Sequence, residues 1–161
     1  MPGTSDVRPH ETTRATIVQT PHSILFPLFA LGFWTFAILN VLGVSRILAG
    51  ARGVIVPADF RLGESANVPE NIKLANRNYM NLLELPILFY VICIVAYSAG
   101  IANYTLLILA WLYVFLRLVH SVIHITYNNV VHRLYAFVAS NTTLLALWVV
   151  GAVALAQKSV A

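Results

Sequence analysis

Charge is what this chain has least of. Ten Lys/Arg and six Asp/Glu in 161 residues make 10% charged, against 59% hydrophobic. Soluble domains are nearer a quarter charged, so a water-soluble fold is excluded and an integral membrane protein is expected. Cysteine is nearly absent. Cys93 stands alone in the apolar run Val91–Val95, which excludes a disulfide framework and a CxxC redox or zinc motif. A thiol in such a setting is inert filler, since reactive thiols need an electropositive, accessible site. No internal repeat is visible, and the two halves differ in loop length and motif, which argues against an inverted-repeat transporter. Gly32 and Gly43 do not form GxxxG. An early apolar core followed by a small-residue cleavage site is also missing. Residues 1–21 are polar and carry Asp6, Arg8, Glu11 and Arg14, so they read as a flexible tail before an uncleaved first helix.

What is present is four apolar stretches, each near the roughly 20 residues that a bilayer requires. They run over about 24–48, 78–100, 103–126 and 132–157. The predicted fold is an all-α, four-helix transmembrane bundle in a single domain. Spans two and three meet at Ser98–Asn103, and spans three and four near Tyr127–Asn129, so neighbours are antiparallel. The long connection, about 49–76, contains Gly50, Gly53, Pro57, Gly63 and Pro69 and reads as a loop. Pro69, favoured at a first helical position, marks a possible N-terminal extension of the second helix. Arg46, Arg52, Arg61, Lys73, Arg77 and Arg133 fall on one side, against Arg8, Arg14 and Lys158 on the other. That bias puts the long loop in the cytoplasm and the termini outside. It explains the net charge of +4 without nucleic acid.

Two spans carry polar stripes. Charges at the bilayer centre cost about 2.5–3.5 kcal/mol even on the mildest scale, so such residues are functional-site candidates. Arg77, Asn81 and Glu84 are spaced i, i+4, i+7 and share a helical face. Pro86 then frees a backbone carbonyl about one turn back and kinks the helix. Arg117, His120, His124 and Tyr127 share a face of the third span, and Arg133 opens the fourth at the same depth. These eight residues are expected to converge on one cytoplasm-facing cavity. Other readings are open. Arg117 and Glu84 form a buried ion pair in one, and the histidines are packing residues in another. The spacing HxxxH also suits a metal or haem, but only one such pair occurs and acidic neighbours are scarce, so no metal is assigned. Asn141, Thr142 and Thr143 read as interhelical hydrogen-bonding residues. His132 and Tyr135 read as interfacial anchors.

The order of these motifs resembles the MAPEG family, membrane-associated proteins in eicosanoid and glutathione metabolism. The resemblance covers about residues 24–157. Arg77-x-x-x-Asn81-x-x-Glu84, followed by Pro86 and Phe89, is similar to the family's second-helix signature. Arg117-x-x-His120 is similar to the prostaglandin synthase branch, and Arg133, sixteen residues on, falls where that branch has its activating arginine. His124 stands where that branch has tyrosine, with Tyr127 one turn later. Arg46 or Arg52 stands for the first-helix arginine of some members. The resemblance implies a homotrimer with sites between protomers, and glutathione as co-substrate. Arg77 and Arg117 would take its carboxylates, Asn81 a peptide amide and Glu84 its ammonium. Arg133 would favour the thiolate, with His120, His124 or Tyr127 as donors. The electrophile would be a lipophilic small molecule arriving from the bilayer, which makes the protein a glutathione-dependent transferase or peroxidase. Two other classes stay open. One is a non-catalytic membrane binding or assembly protein, favoured by His124. The other is a proton or solute carrier using Glu84 and the histidines. The plain C-terminus leans towards a bacterial inner membrane.

Overall fold

Helix ends in this chain are set by glycine and asparagine at a few turns, and these turns lay out the bundle. In the computed structural model, residues 21–160 are described; the expected N-terminal tail lies outside them, apart from Pro21. The first helix, α1, spans Leu25–Ala51 behind a 3-10 turn at Pro21–Ile24. Its 27 residues rise roughly 40 Å, enough to cross a bilayer. It stops at Gly53, whose φ of +70° suits a residue without Cβ. Val54 N donates to Ala49 O and Gly53 N to Gly50 O, both at 2.9 Å, the paired bonds that satisfy a helix C-terminus.

The second span is two helices, α2 over Glu70–Leu83 and α3 over Pro86–Ser98. The expected loop to residue 76 is therefore too long. Pro69 starts the helix, and Ile72, Ala75 and Leu82 bury an apolar face that holds the added turns. Gly100, at φ +61°, closes α3 with the same bond pair, from Ile101 N to Ala96 O and Gly100 N to Tyr97 O. Asn103 then caps α4, Tyr104–Ile125, by accepting from Leu106 N at 2.9 Å. Asn129 caps α5, Val130–Val160, by accepting from Val131 N and His132 N. Asn128 makes the turn at φ +46°. All four spans are long and apolar enough to cross a membrane, and among the described residues no strand forms.

One core runs through the bundle, with Leu31, Leu82, Phe89, Leu106, Ala110, Tyr113 and Leu147 fully or almost fully buried. Phe89 stacks on Tyr113 with ring centroids 4.7 Å apart. Helix α4 packs mainly on α5 and also meets α1 and α2. A smaller cluster of Leu42, Ile55, Val68 and Ile72 fixes the 52–69 loop to α1 and α2. In that loop the Asp59 carboxylate accepts from Val56 N, Ser65 Oγ and Asn67 Nδ2. The Ser65 hydrogen bond, then the Val56 one, holds its carboxyl below the ordinary range, slightly opposed by burial. The alternation of spans puts the 52–69 loop and the α4–α5 turn at one end of the bundle. At the other end Lys158 Nζ donates to Ala99 O at 2.7 Å.

Candidate functional site

A cavity of about 350 Å³ opens at the loop end, between α2, α4 and α5. Five of the eight predicted residues line it: Arg77, Asn81, His120, His124 and Arg133. Arg77 and Asn81 lie one turn apart on α2, and His120 and His124 one turn apart on α4, as their spacing requires. Val130, Leu134 and Phe137 of α5 form the apolar wall. The sequence reading missed these three. Their signal is the i+4 and i+7 spacing from Val130 and the i+4 spacing from Arg133.

Arg133 is held from two sides. Its Nη1 donates to Asn128 Oδ1 at 2.7 Å and to His124 Nε2 at 3.2 Å. Because a guanidinium only donates, His124 Nε2 must accept, which puts its proton on Nδ1. His120 Nδ1 contacts Arg133 O at 3.0 Å. A carbonyl only accepts, so His120 also carries its proton on Nδ1, and Nε2 holds the lone pair. His120 was expected to donate towards a ligand from the cavity wall, but its proton is engaged with the α5 backbone. Both free ring atoms, His120 Nε2 and His124 Nδ1, are buried without a partner. The site therefore has polar valence that the described residues leave unfilled.

Arg117 differs from expectation. It is 0% exposed and does not line the cavity. Nε donates to Tyr113 Oη at 3.0 Å, Nη1 to Asn81 Oδ1 at 2.9 Å and Nη2 to Asn141 Oδ1 at 3.0 Å. The Tyr113 and Phe137 rings lie 5.4 Å from its central carbon. No Glu84 pair forms, so the ion-pair reading fails. Arg117 instead fixes Asn81 from behind. Asn141 makes the interhelical bond expected of it, whereas Thr142 and Thr143 bond back to Val138 O and Ala139 O of their own helix.

Glu84 and Tyr127 also leave the expected face, for one reason: the helix that would carry their phase has ended. Glu84 terminates α2 with ψ −98°, because Pro86 supplies no N–H to the helix. Its side chain is exposed and lines no part of the cavity. Tyr127 follows Thr126, whose ψ is −97°; it is 60% exposed and pairs with His132 Nδ1 at 3.2 Å. Arg46 is occupied elsewhere. It meets Glu64 at 3.2 Å and lies over Phe60 at 4.7 Å, tying α1 to the loop. Neither Arg46 nor Arg52 lines the cavity.

The local electrostatics are one-signed. Arg77, Arg117 and Arg133 surround or back the cavity, yet among the described residues the only ion pair is Arg46–Glu64. Such a set accommodates an anion by charge-assisted hydrogen bonds. In comparison with known proteins, residues 24–153 match the model of the MAPEG family. No curated protein and no solved structure matches the chain.

Proposed function

The chain belongs to the MAPEG family, and from that premise we propose that it is a membrane-bound, glutathione-dependent transferase or peroxidase acting on a lipophilic electrophile. Membership supports glutathione-related chemistry in general. The observation that carries the finer reading is the set of arginines at the cavity without carboxylate partners among the described residues. Glutathione is a peptide with two carboxylates, one ammonium and one thiol, and bound here it would supply the sulfur nucleophile. The unfilled valence of His120 Nε2 and His124 Nδ1 and a volume at the lower end for small-molecule sites fit such a ligand.

Arg77, exposed at the mouth of the cavity, pairs with a carboxylate. Arg117 does not share that task directly, because it is fully buried and lines no part of the cavity. It holds the Asn81 carbonyl, which turns the Asn81 Nδ2 donor towards a ligand acceptor. Arg133, held only by neutral groups, keeps its charge available to a thiolate. His120 Nε2 accepts a hydrogen bond. Glu84 is exposed and lines no part of its own protomer's cavity, so in this reading it meets the ammonium in a neighbouring copy of a homotrimer. Arg46, Arg52, Arg61, Lys73, Arg77 and Arg133 support a cytoplasmic position for the cavity.

Calorimetric titration of the detergent-purified chain with glutathione tests the assignment. Arg77→Ala should weaken binding about tenfold, the effect of losing one charge-assisted bond, with partial rescue by Arg77→Lys. Unchanged affinity in Arg77→Ala would overturn the site. A thiolate band in the ultraviolet on binding separates an enzyme from a non-catalytic binder of the same fold, the reading favoured by Tyr127 lying outside the cavity.

A further inference from the structure

Among the described residues Asn128 is the only one other than glycine with a positive φ, at +46°. It makes the turn from α4 to α5, and its N–H donates to Ile123 O at 2.8 Å. Glycine would take this conformation without a Cβ penalty, as Gly53, Gly63 and Gly100 do elsewhere in the chain. The backbone therefore has no need of an asparagine amide here. The side chain is used for something else: Asn128 Oδ1 accepts from Arg133 Nη1 at 2.7 Å, the shorter of the two bonds that hold this guanidinium. Arg133 presents a planar fork of N–H donors. Those on Nη1 go to Asn128 Oδ1 and His124 Nε2, and Nε and Nη2 meet no acceptor among the described residues. One corner of the fork is pinned, and the Nε–Nη2 edge is free on a residue that lines the polar cavity.

We propose that Asn128 is a positioning residue: it uses the α4–α5 turn to aim the free edge of Arg133 at the sulfur of the bound thiol. The proposal rests on the glutathione reading above and extends it to a residue outside the cavity wall. A long, rotamer-rich side chain that is fixed before the ligand arrives loses less freedom on binding. Both holders of Arg133 are neutral, so the fork is oriented with its charge intact. A carboxylate would orient it as well and cancel the charge that an anion needs. The thiol gives its proton to solvent, and the resulting S⁻ pairs with the Nε–Nη2 edge. His124 shares the hold but also lines the cavity. Asn128 is thus the place where the aim of Arg133 can be changed without altering a wall of the site.

Two substitutions separate aiming from folding. Asn128→Gly keeps the positive φ and removes the acceptor. Asn128→Asp keeps the acceptor, tolerates the same backbone conformation and adds a negative charge beside Nη1. With the full chain purified in detergent, the ultraviolet thiolate band of bound glutathione is followed against pH. Calorimetry with S-methylglutathione, whose sulfur has no proton to lose, reads the rest of the ligand separately. Midway through the wild-type titration, Asn128→Gly should lower the ratio of bound thiolate to thiol about threefold to tenfold, the worth of one hydrogen bond. Asn128→Asp should lower it about tenfold or more, because its carboxylate competes with the thiolate for Arg133. Affinity for S-methylglutathione should stay within about twofold in both variants, since its carboxylate is met at Arg77. A merely structural role would give the opposite order, because aspartate is the closer match in shape. A ratio unchanged in Asn128→Gly, a ratio in Asn128→Asp at or above that of Asn128→Gly, or loss of S-methylglutathione binding in step with the thiolate would each overturn the proposal. Wild-type protein that binds neither ligand, or binds glutathione with no thiolate band, fails the glutathione reading and takes this role with it. Equal thiolate bands in the wild type and Asn128→Gly remove the role alone.

Discussion

Tyr113→Phe removes one oxygen from the centre of the bundle, and its cost should depend on whether Arg117 is present. The Tyr113 hydroxyl accepts from Arg117 Nε at 3.0 Å, and both residues are 0% exposed. Hydrogen bonds to charged groups contribute about 1.5–3 kcal/mol, whereas neutral interhelical bonds in membranes average about 0.6 and reach about 1.7. A charged, fully buried bond belongs near the overlap, so Tyr113→Phe should destabilise by about 1.5 kcal/mol. The Phe89 stack survives the change, which leaves the lost bond as the main effect. In an Arg117→Met background the guanidinium is gone, and the same substitution should cost roughly 0.5 kcal/mol or less. The coupling energy is then about 1 kcal/mol. Reversible unfolding of all four proteins in mixed detergent and dodecyl sulfate micelles, followed by circular dichroism, measures it. Equal costs of Tyr113→Phe in the two backgrounds would show that Arg117 is not held as described, and the orientation of Asn81 and Asn141 would lose its basis.

Ser121→Ala should destabilise by about 1–3 kcal/mol, because Ser121 Oγ accepts from both Trp34 Nε1 at 2.9 Å and Asn78 Nδ2 at 2.7 Å. Trp34→Phe in that background should recover part of the loss, and an unaltered unfolding midpoint in Ser121→Ala would refute the three-way contact. The Asp59 carboxyl is lowered in the folded loop, so its contribution is present above the ordinary carboxylate range and fades as pH falls through the folded value. Proteolysis within 52–69 should accelerate on acidification in the wild type, whereas Asp59→Asn should be cleaved readily at neutral pH with a flatter profile. Glu84 leads the third test: with Cys93→Ser removing the buried thiol, Glu84→Cys should be joined between copies by a short bis-maleimide. Monomer alone after treatment would exclude Glu84 from a subunit interface.

The residues that were legible in the sequence, and those that were not, divide at helix ends. Spans and turns are local features. Apolar runs and the caps at Gly53, Gly100, Asn103 and Asn129 are readable one segment at a time. Arg77 with Asn81, and His120 with His124, were legible because an unbroken helix lies between the members of each pair. Glu84 and Tyr127 were assigned to the same faces by the same arithmetic, and there it failed. A period of 3.6 carries phase only as far as the hydrogen-bond ladder runs, and Pro86 and the turn at Thr126–Asn128 stop it. Arg117 failed for another reason. Its phase was right, but which neighbour meets a buried guanidinium depends on how α2 and α5 are rotated about α4, and no spacing within one helix encodes that. The two kinds of failure differ in consequence. A lost phase leaves Glu84 exposed and outside the cavity. A hidden partner keeps Arg117 inside, where it orients two asparagines rather than touching a ligand. Removing the break at Pro86 and removing the charge at Arg117 therefore act on separate features: the first on where Glu84 lies, the second on which way the amides of Asn81 and Asn141 point.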